Sequence, residues 1–184
     1  PIYPPSTNTL VDVGAFGRDM SNTFALLELG WKGLLIEANP DRARIIEKEF
    51  AGMDVVILNI GIGHTSGKLP FHIHSELGHD SFDPAWYPQD LTALTLQVKV
   101  EPLTKVLRTQ KIPPEFDLLS VDTEGLDAAI MIKFLTDGVF RPSVIVTECT
   151  SYADAPGLFA QHGYRLLART GNPEYGNFIF CIDK

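Results

Sequence analysis

Several short apolar, β-rich runs end in a polar residue: Glu37 after 33–36, Asn59 after 54–58, Asp122 after 116–121 and Glu148 after 143–147, with Asp12 inside the first run. A buried carboxylate is costly to desolvate, so acids that repeatedly close core strands need a ligand or a partner. Taken singly, each acid is also suited to a helix start, where the helix dipole favours negative charge. For Glu37 and Glu148 both readings stand at this point. The turn after the first run, Gly14-Ala15-Phe16-Gly17, is glycine-rich. Glycine lets a ligand approach the backbone closely, although a tight turn alone also calls for it. Glu37 strengthens the ligand reading. An acid at the end of a second strand is placed to accept hydrogen bonds from both hydroxyls of an adenosine ribose.

A second group of chemically able residues is less specific. His64, His72, His74 and His79 fall near Glu76, Asp80 and Asp83. His72 and His74 alternate on a predicted strand and would share one face. Imidazole and carboxylate ligands suit zinc and other divalent ions, but a solvated polar strand face is the simpler reading. A divalent ion at Asp122, Glu124 and Glu148 is not required by their spacing, and no metal is expected. His79 and Ser81 differ, because they lie in the irregular stretch 75–90, which holds Gly78, Pro84 and Pro88. A loop that long in a compact domain is usually functional or disordered. His79 is therefore a candidate for substrate binding or proton transfer. Trp86 and Tyr87 share the loop, either packing it onto the domain or stacking on a flat acceptor.

These residues need a frame. Short β-rich runs alternate with helical ones, which argues for βαβ units and a mostly parallel sheet. Strands are predicted at 9–13, 33–36, 54–58, 69–74, 96–100, 116–121, 143–147, 164–169 and 177–182. Helices are predicted at 21–29, 40–50, 103–108, 128–135 and 156–162. Ser21 is a candidate cap for the first helix, and Pro40 suits the first turn of the second. The strand at 69–74 is expected to form a hairpin with 60–62 through a turn at 64–67. The last two strands are joined by the Gly171-Asn172-Pro173 turn with no helix between them, so they should be antiparallel.

Composition narrows the class. The chain has 184 residues, 45% apolar and 21% charged, with a formal net charge of −8. One soluble domain over residues 1–184 is expected; its abrupt start at Pro1 reads as that of a piece of a longer protein, without its amino-terminal extension. An acidic chain with no basic run repels phosphate backbones, so no nucleic-acid partner is expected. No apolar stretch is long enough to span a bilayer, and no signal peptide is visible. Cys149 and Cys181 read as buried free thiols in a reducing, cytoplasmic compartment.

A nicotinamide cofactor could use the same glycine turn and Glu37. Against it, Phe16 stands where the middle glycine of G-x-G-x-x-G belongs, and the carboxyl-terminal strand pair suits a methyltransferase sheet better. The resemblance then becomes specific. Ser21-Asn22-Thr23, the run Leu29-Gly30-Trp31-Lys32-Gly33-Leu34-Leu35-Ile36-Glu37-Ala38-Asn39-Pro40, and Asp117-Leu118-Leu119-Ser120-Val121-Asp122-Thr123-Glu124-Gly125 resemble the FkbM family of methyltransferases. So do 59–62, 98–107 and Gly163-Tyr164. The likeness runs from about Leu10 to about Phe180. The first turn departs from the family by being a residue shorter.

The resemblance implies a doubly wound, mostly parallel seven-stranded α/β sheet with an antiparallel carboxyl-terminal pair, a Rossmann-like methyltransferase fold. It implies S-adenosylmethionine as methyl donor and O-methylation of a sugar-like or other small acceptor. Asp12, Gly14 and Gly17 would line the methionine end of the cofactor, with Ala15 in the same turn. Glu37 would hold the ribose, Ala38 and Asn39 would lie beside the adenine, and Asn59 and Ile60 would flank adenine or ribose. Asp122 would sit near the transferring methyl as base or as partner of the donor's ammonium group, with Glu124 beyond it. A nicotinamide-dependent oxidoreductase and a non-catalytic module keeping the fold are the alternatives.

Overall fold

The computed structural model describes residues 7–76, 78–86, 92–148, 155–171 and 176–183. Tyr87, Cys149 and the Asn172-Pro173 part of the last turn lie outside the described residues.

The first strand, β1 (Thr9–Val13), is fully buried. Alternation sends Val11 and Val13 into one core and Leu10 into a second on the opposite face. Both faces are covered, as a parallel sheet requires. β1 pairs in parallel with β2 (Lys32–Ile36) on one side and β7 (Leu118–Val121) on the other. Beyond β2 lies β3 (Val55–Leu58), and beyond β7 lies β8 (Val144–Glu148). β9 (Tyr164–Arg169) forms one edge, and β10 (Asn177–Ile182) is inserted antiparallel between β8 and β9. The order β3-β2-β1-β7-β8-β10-β9 is the expected seven-stranded, mostly parallel sheet. Its connections reverse direction between β1 and β7, and ligands of such sheets bind at that reversal, beyond the strands' carboxyl ends.

The helices connect the strands. The first is shorter than predicted. After a 3-10 turn at Arg18–Met20, α1 covers only Phe24–Glu28. Ser21 Oγ accepts from the backbone N–H groups of Thr23 (3.1 Å) and Phe24 (2.9 Å), so the expected cap does tie down the helix entry. α2 (Pro40–Glu49) begins with proline, and Asn39 caps it by accepting from the N–H of Asp41 at 2.9 Å. α3 (Leu103–Thr109), α4 (Asp127–Asp137) and α5 (Ala155–Gln161) complete the set. α4 ends on Gly138 in the left-handed conformation, which glycine adopts at little cost. Among the described residues, no helix is long and apolar enough to cross a membrane.

A second sheet corrects the predicted hairpin. β4 (Gly61–Ile62) does not pair with β5 (Gly67–His74); it runs parallel to β6 (Thr92–Glu101). β5 forms its antiparallel pair with β6, in the order β4-β6-β5. With β4 limited to two residues, the long complementary edge is β6. A register shift between Ile73 and His74 breaks the alternation. His74 is buried, and its N–H donates to Asp80 Oδ1 at 2.9 Å, so the pair of histidines is not one solvated face. The free thiol of Cys181 is buried, as expected.

Candidate active site

Beyond the carboxyl ends of β1, β2 and β7 lies a cleft of about 740 Å³, open to solvent. Val13, Gly14 and Phe16 form its floor, Ile36, Glu37 and Ala38 one side, and Asp122, Thr123 and Glu124 the other. Ile60, Gly61, Ile62, Phe71, Gly78, Asp80 and Phe82 build the wall from the second sheet and its loop. Met20 and Arg42 complete the lining.

The glycine turn is shaped by two needs. Gly14 has φ +81°, and Phe16 has φ +48°, an uncommon conformation for a bulky residue. That twist directs the Phe16 N–H onto Glu37 Oε2 at 3.0 Å. The other oxygen of Glu37 accepts from the Asn39 N–H at 2.7 Å. Glu37 is therefore fixed by two backbone donors, and a carboxylate with about four acceptor positions retains others. Burial pushes its carboxyl up to about 7; the two N–H bonds and Arg42 pull the other way, and Asp80 adds to the rise. Arg42 also lies over the Phe16 ring, 4.1 Å from its centre.

The opposite side concentrates negative charge. Asp122, Glu124 and Glu148 each place a carboxylate oxygen within 4.8 Å of the others. Adjacent strands cause this, since Val121 pairs with Thr147 and the next residues are Asp122 and Glu148. Burial and the charges of Glu148 and Asp12 raise the Asp122 carboxyl; burial and Glu124 raise that of Glu148. Burial pushes Glu124 up to about 7, opposed by its bond from Trp86. Asn22 Nδ2 donates to Asp122 at 3.4 Å. Among the described residues, no lysine or arginine forms an ion pair with any of the three.

Of the residues singled out from sequence, Gly14, Glu37, Ala38, Ile60, Asp122 and Glu124 line the cleft. The others stand behind it. Asp12 is buried and accepts from the Thr23 hydroxyl at 2.6 Å, pinning the entry of α1 to β1. Ala15 is buried, with its N–H on the carbonyl of Ile36. Gly17 faces Glu49. Asn39 caps α2 and donates to Asp80 at 2.6 Å. Asn59 Nδ2 donates to the carbonyls of Glu37 (2.8 Å) and Ala38 (3.1 Å), holding the strand end that carries Glu37. His79 is outside the lining, between the lining residues Gly78 and Asp80. Among the described residues, the histidine group does not bring three ligand atoms to metal spacing.

Phe16, Arg42, Phe71, Asp80 and Phe82 were not expected in the lining. The alternation of Leu69, Phe71 and Ile73 in β5 was a readable sign for Phe71. Phe82 carried none: its ring packs on Phe71 at 4.7 Å and fills the space beside Gly61, contacts that exist only once the second sheet has formed.

The comparisons with known proteins agree with this frame. No curated protein matches the sequence. The ribosomal protein L11 methylase of Lactobacillus delbrueckii subsp. bulgaricus superposes with a TM-score of 0.51 at 12% identity, over 96% of this chain and 70% of that one. The precorrin-6y C5,15-methyltransferase of Geobacter metallireducens GS-15 superposes with a TM-score of 0.53 at 14% identity, over 96% and 80%. At such identities the likeness is one of fold, and the two proteins are named for unlike acceptors. The family model described as the methyltransferase FkbM domain matches residues 12–166. That match takes in the glycine turn, Glu37 and the Asp122-to-Glu148 cluster together, and the chain belongs to the FkbM family of methyltransferases.

Proposed function

We propose that the chain transfers a methyl group from S-adenosylmethionine to a hydroxyl of a sugar-like or other small acceptor. The observation that carries this reading is the pairing of two acidic centres across one glycine turn. Glu37, held by backbone N–H groups, faces one end of the cleft. Three carboxylates with no cationic partner among the described residues stand at the other. A donor with ribose hydroxyls at one end and cationic sulfonium and ammonium groups at the other fits both. Gly14, packed against the backbone of Asp122, lines the floor between them. The nicotinamide alternative gains no support from Phe16, which stands where a second glycine would admit a pyrophosphate.

When bound, the donor supplies an activated methyl on sulfur, a good leaving group. The chain's residues have three tasks. Glu37, Ala38 and Ile60 hold the nucleoside. One carboxylate takes the acceptor hydroxyl's proton, with Asp122 the first candidate and Glu124 the second, which requires hydrogen-bond reach of the acceptor. Phe71, Phe82 and Ile62 shield one side of the cleft from water. Alignment alone contributes about 7–11 kcal/mol in well-oriented reactions. His79, beside the lining, is a further candidate contact for the acceptor.

Thermal unfolding with S-adenosylhomocysteine or NAD separates the readings. S-adenosylhomocysteine at 100 times its Kd should stabilise by about 2.7 kcal/mol, a rise of roughly 5–11 °C for a chain of this size. Stabilisation by NAD alone would establish the oxidoreductase. Stabilisation by neither would favour a non-catalytic module.

A further inference from the structure

Trp86 lies in the loop that joins β5 to β6, yet its firmest contacts are with the segment after β7. Its indole Nε1–H donates to Glu124 Oε2 at 2.7 Å. Its ring lies so close over Gly125 that a Cβ there would meet Cε3 at 2.8 Å. The loop beneath it is ordered by its own bonds. The Trp86 N–H donates to the Asp83 carbonyl (3.1 Å), and Ser81 Oγ accepts from the Asp83 N–H (2.9 Å). Ser81 is fully buried and donates its hydroxyl to the carbonyl of Glu124. Both the carboxylate and the backbone of Glu124 are therefore gripped from the second sheet's loop. Glu124 needs that grip, because its φ is +52°. A non-glycine residue in that region persists only where its surroundings over-determine it, and such residues cluster at functional sites.

We propose that Trp86 is the positioning residue of Glu124, its indole N–H fixing the carboxylate at the acceptor end of the cleft as a proton acceptor. This rests on the methyl-transfer reading of the site. Asp122 beyond β7, Glu148 at the end of β8 and Asp80 in the second sheet's loop all bring negative charge to Glu124. Burial, Asp122 and Asp80 favour the protonated form, and the indole N–H opposes them. A donor to the ionised form keeps the group able to accept a proton near neutral pH.

The test needs no known acceptor. The chain has two tryptophans, so Trp31→Phe leaves Trp86 as the single reporter. Its emission should titrate between pH 5 and 9 with a midpoint near 7, and Glu124→Gln should abolish the transition. In Trp86→Phe, which keeps a ring over Gly125, the Glu124 carboxyl followed by ¹³C NMR should titrate about one unit higher. An emission profile that is flat, or that survives Glu124→Gln, overturns the proposal, as does an unmoved carboxyl in Trp86→Phe. S-adenosylhomocysteine binding to the Trp31→Phe parent is measured beside it. Absence of binding counts against the donor site, whereas a flat profile with intact binding counts against the Trp86–Glu124 link alone.

Discussion

The carbonyl oxygen of Asp122 occupies the space where a side chain on Gly14 would begin: a Cβ there would lie 1.7 Å from it. The glycine turn and the acid-bearing loop are thus in direct backbone contact across the sheet's reversal point. Gly14→Ala cannot be accommodated by a side-chain movement, and φ +81° adds left-handed strain. A loss of about 2–4 kcal/mol is expected, which calorimetry would register as a fall in Tm of roughly 4–16 °C. A variant as stable as the parent would mean that the two loops separate in solution.

Glu37 predicts a pH dependence of donor binding. Its carboxyl stands at about 7, and only the ionised form accepts hydrogen bonds from ribose hydroxyls with both oxygens. Affinity for S-adenosylhomocysteine should therefore weaken as pH falls from 8 to 6. Glu37→Gln should weaken it by roughly 10–100-fold at pH 8, the worth of a charged hydrogen bond, and should flatten the pH response. Titration calorimetry at the two pH values measures both.

The unliganded protein should lose stability as pH rises. Asp12, Glu37, Asp122, Glu124 and Asp127 all have carboxyls raised above their ordinary values, each chiefly by burial. From about pH 4, where such groups ionise in an unfolded chain, up to their raised native values, about 7 for Glu37, Asp122 and Glu124, the native state holds protons that the unfolded state has released. Stability from these groups is full below the lower limit and is lost as pH climbs through the upper one. Tm at pH 8 should lie below Tm at pH 5.5. The opposite order would show that these carboxyls are not raised in the folded protein.

Asp122→Asn discriminates proton transfer from donor positioning. As a base, Asp122 contributes on the order of 10²–10⁴ in rate. The expected outcome is a loss of that size in methyl transfer to a hydroxylated acceptor, with S-adenosylhomocysteine affinity within about tenfold of the parent. An affinity loss equal to the rate loss would assign Asp122 to the donor's ammonium group instead.

Much of this architecture is legible in the chain. Strand periodicity and the acids that close β2, β7 and β8 are local features, and they mark the sheet and the two acidic ends of the cleft. The family motif adds the order of the pieces. What local pattern cannot reveal is pairing between distant segments. Residues 60–62 and 69–74 are close in sequence, and a hairpin between them is the economical expectation. The preference of both for β6 depends on closing the intervening stretches 63–91 and 75–91, a cost that rises only slowly with length. The same reason hides Asp80 and Phe82. Their place in the lining follows from tertiary contacts with Asn39, Phe71 and Gly61. The division between residues that face the cleft and those that brace it, such as Asp12 and Asn59, is likewise a matter of direction that spacing does not encode.

The loop of the second sheet is fastened at two points, through Asp80 to Asn39 on one bank of the cleft and through Ser81 and Trp86 to Glu124 on the other. It is a bridge with abutments on both shores, not a flap on one hinge. Its outer course can exchange residues and reshape the entrance while the strands beneath keep their register. A cleft bridged in this way can change what it admits while the glycine turn and Glu37 keep their places.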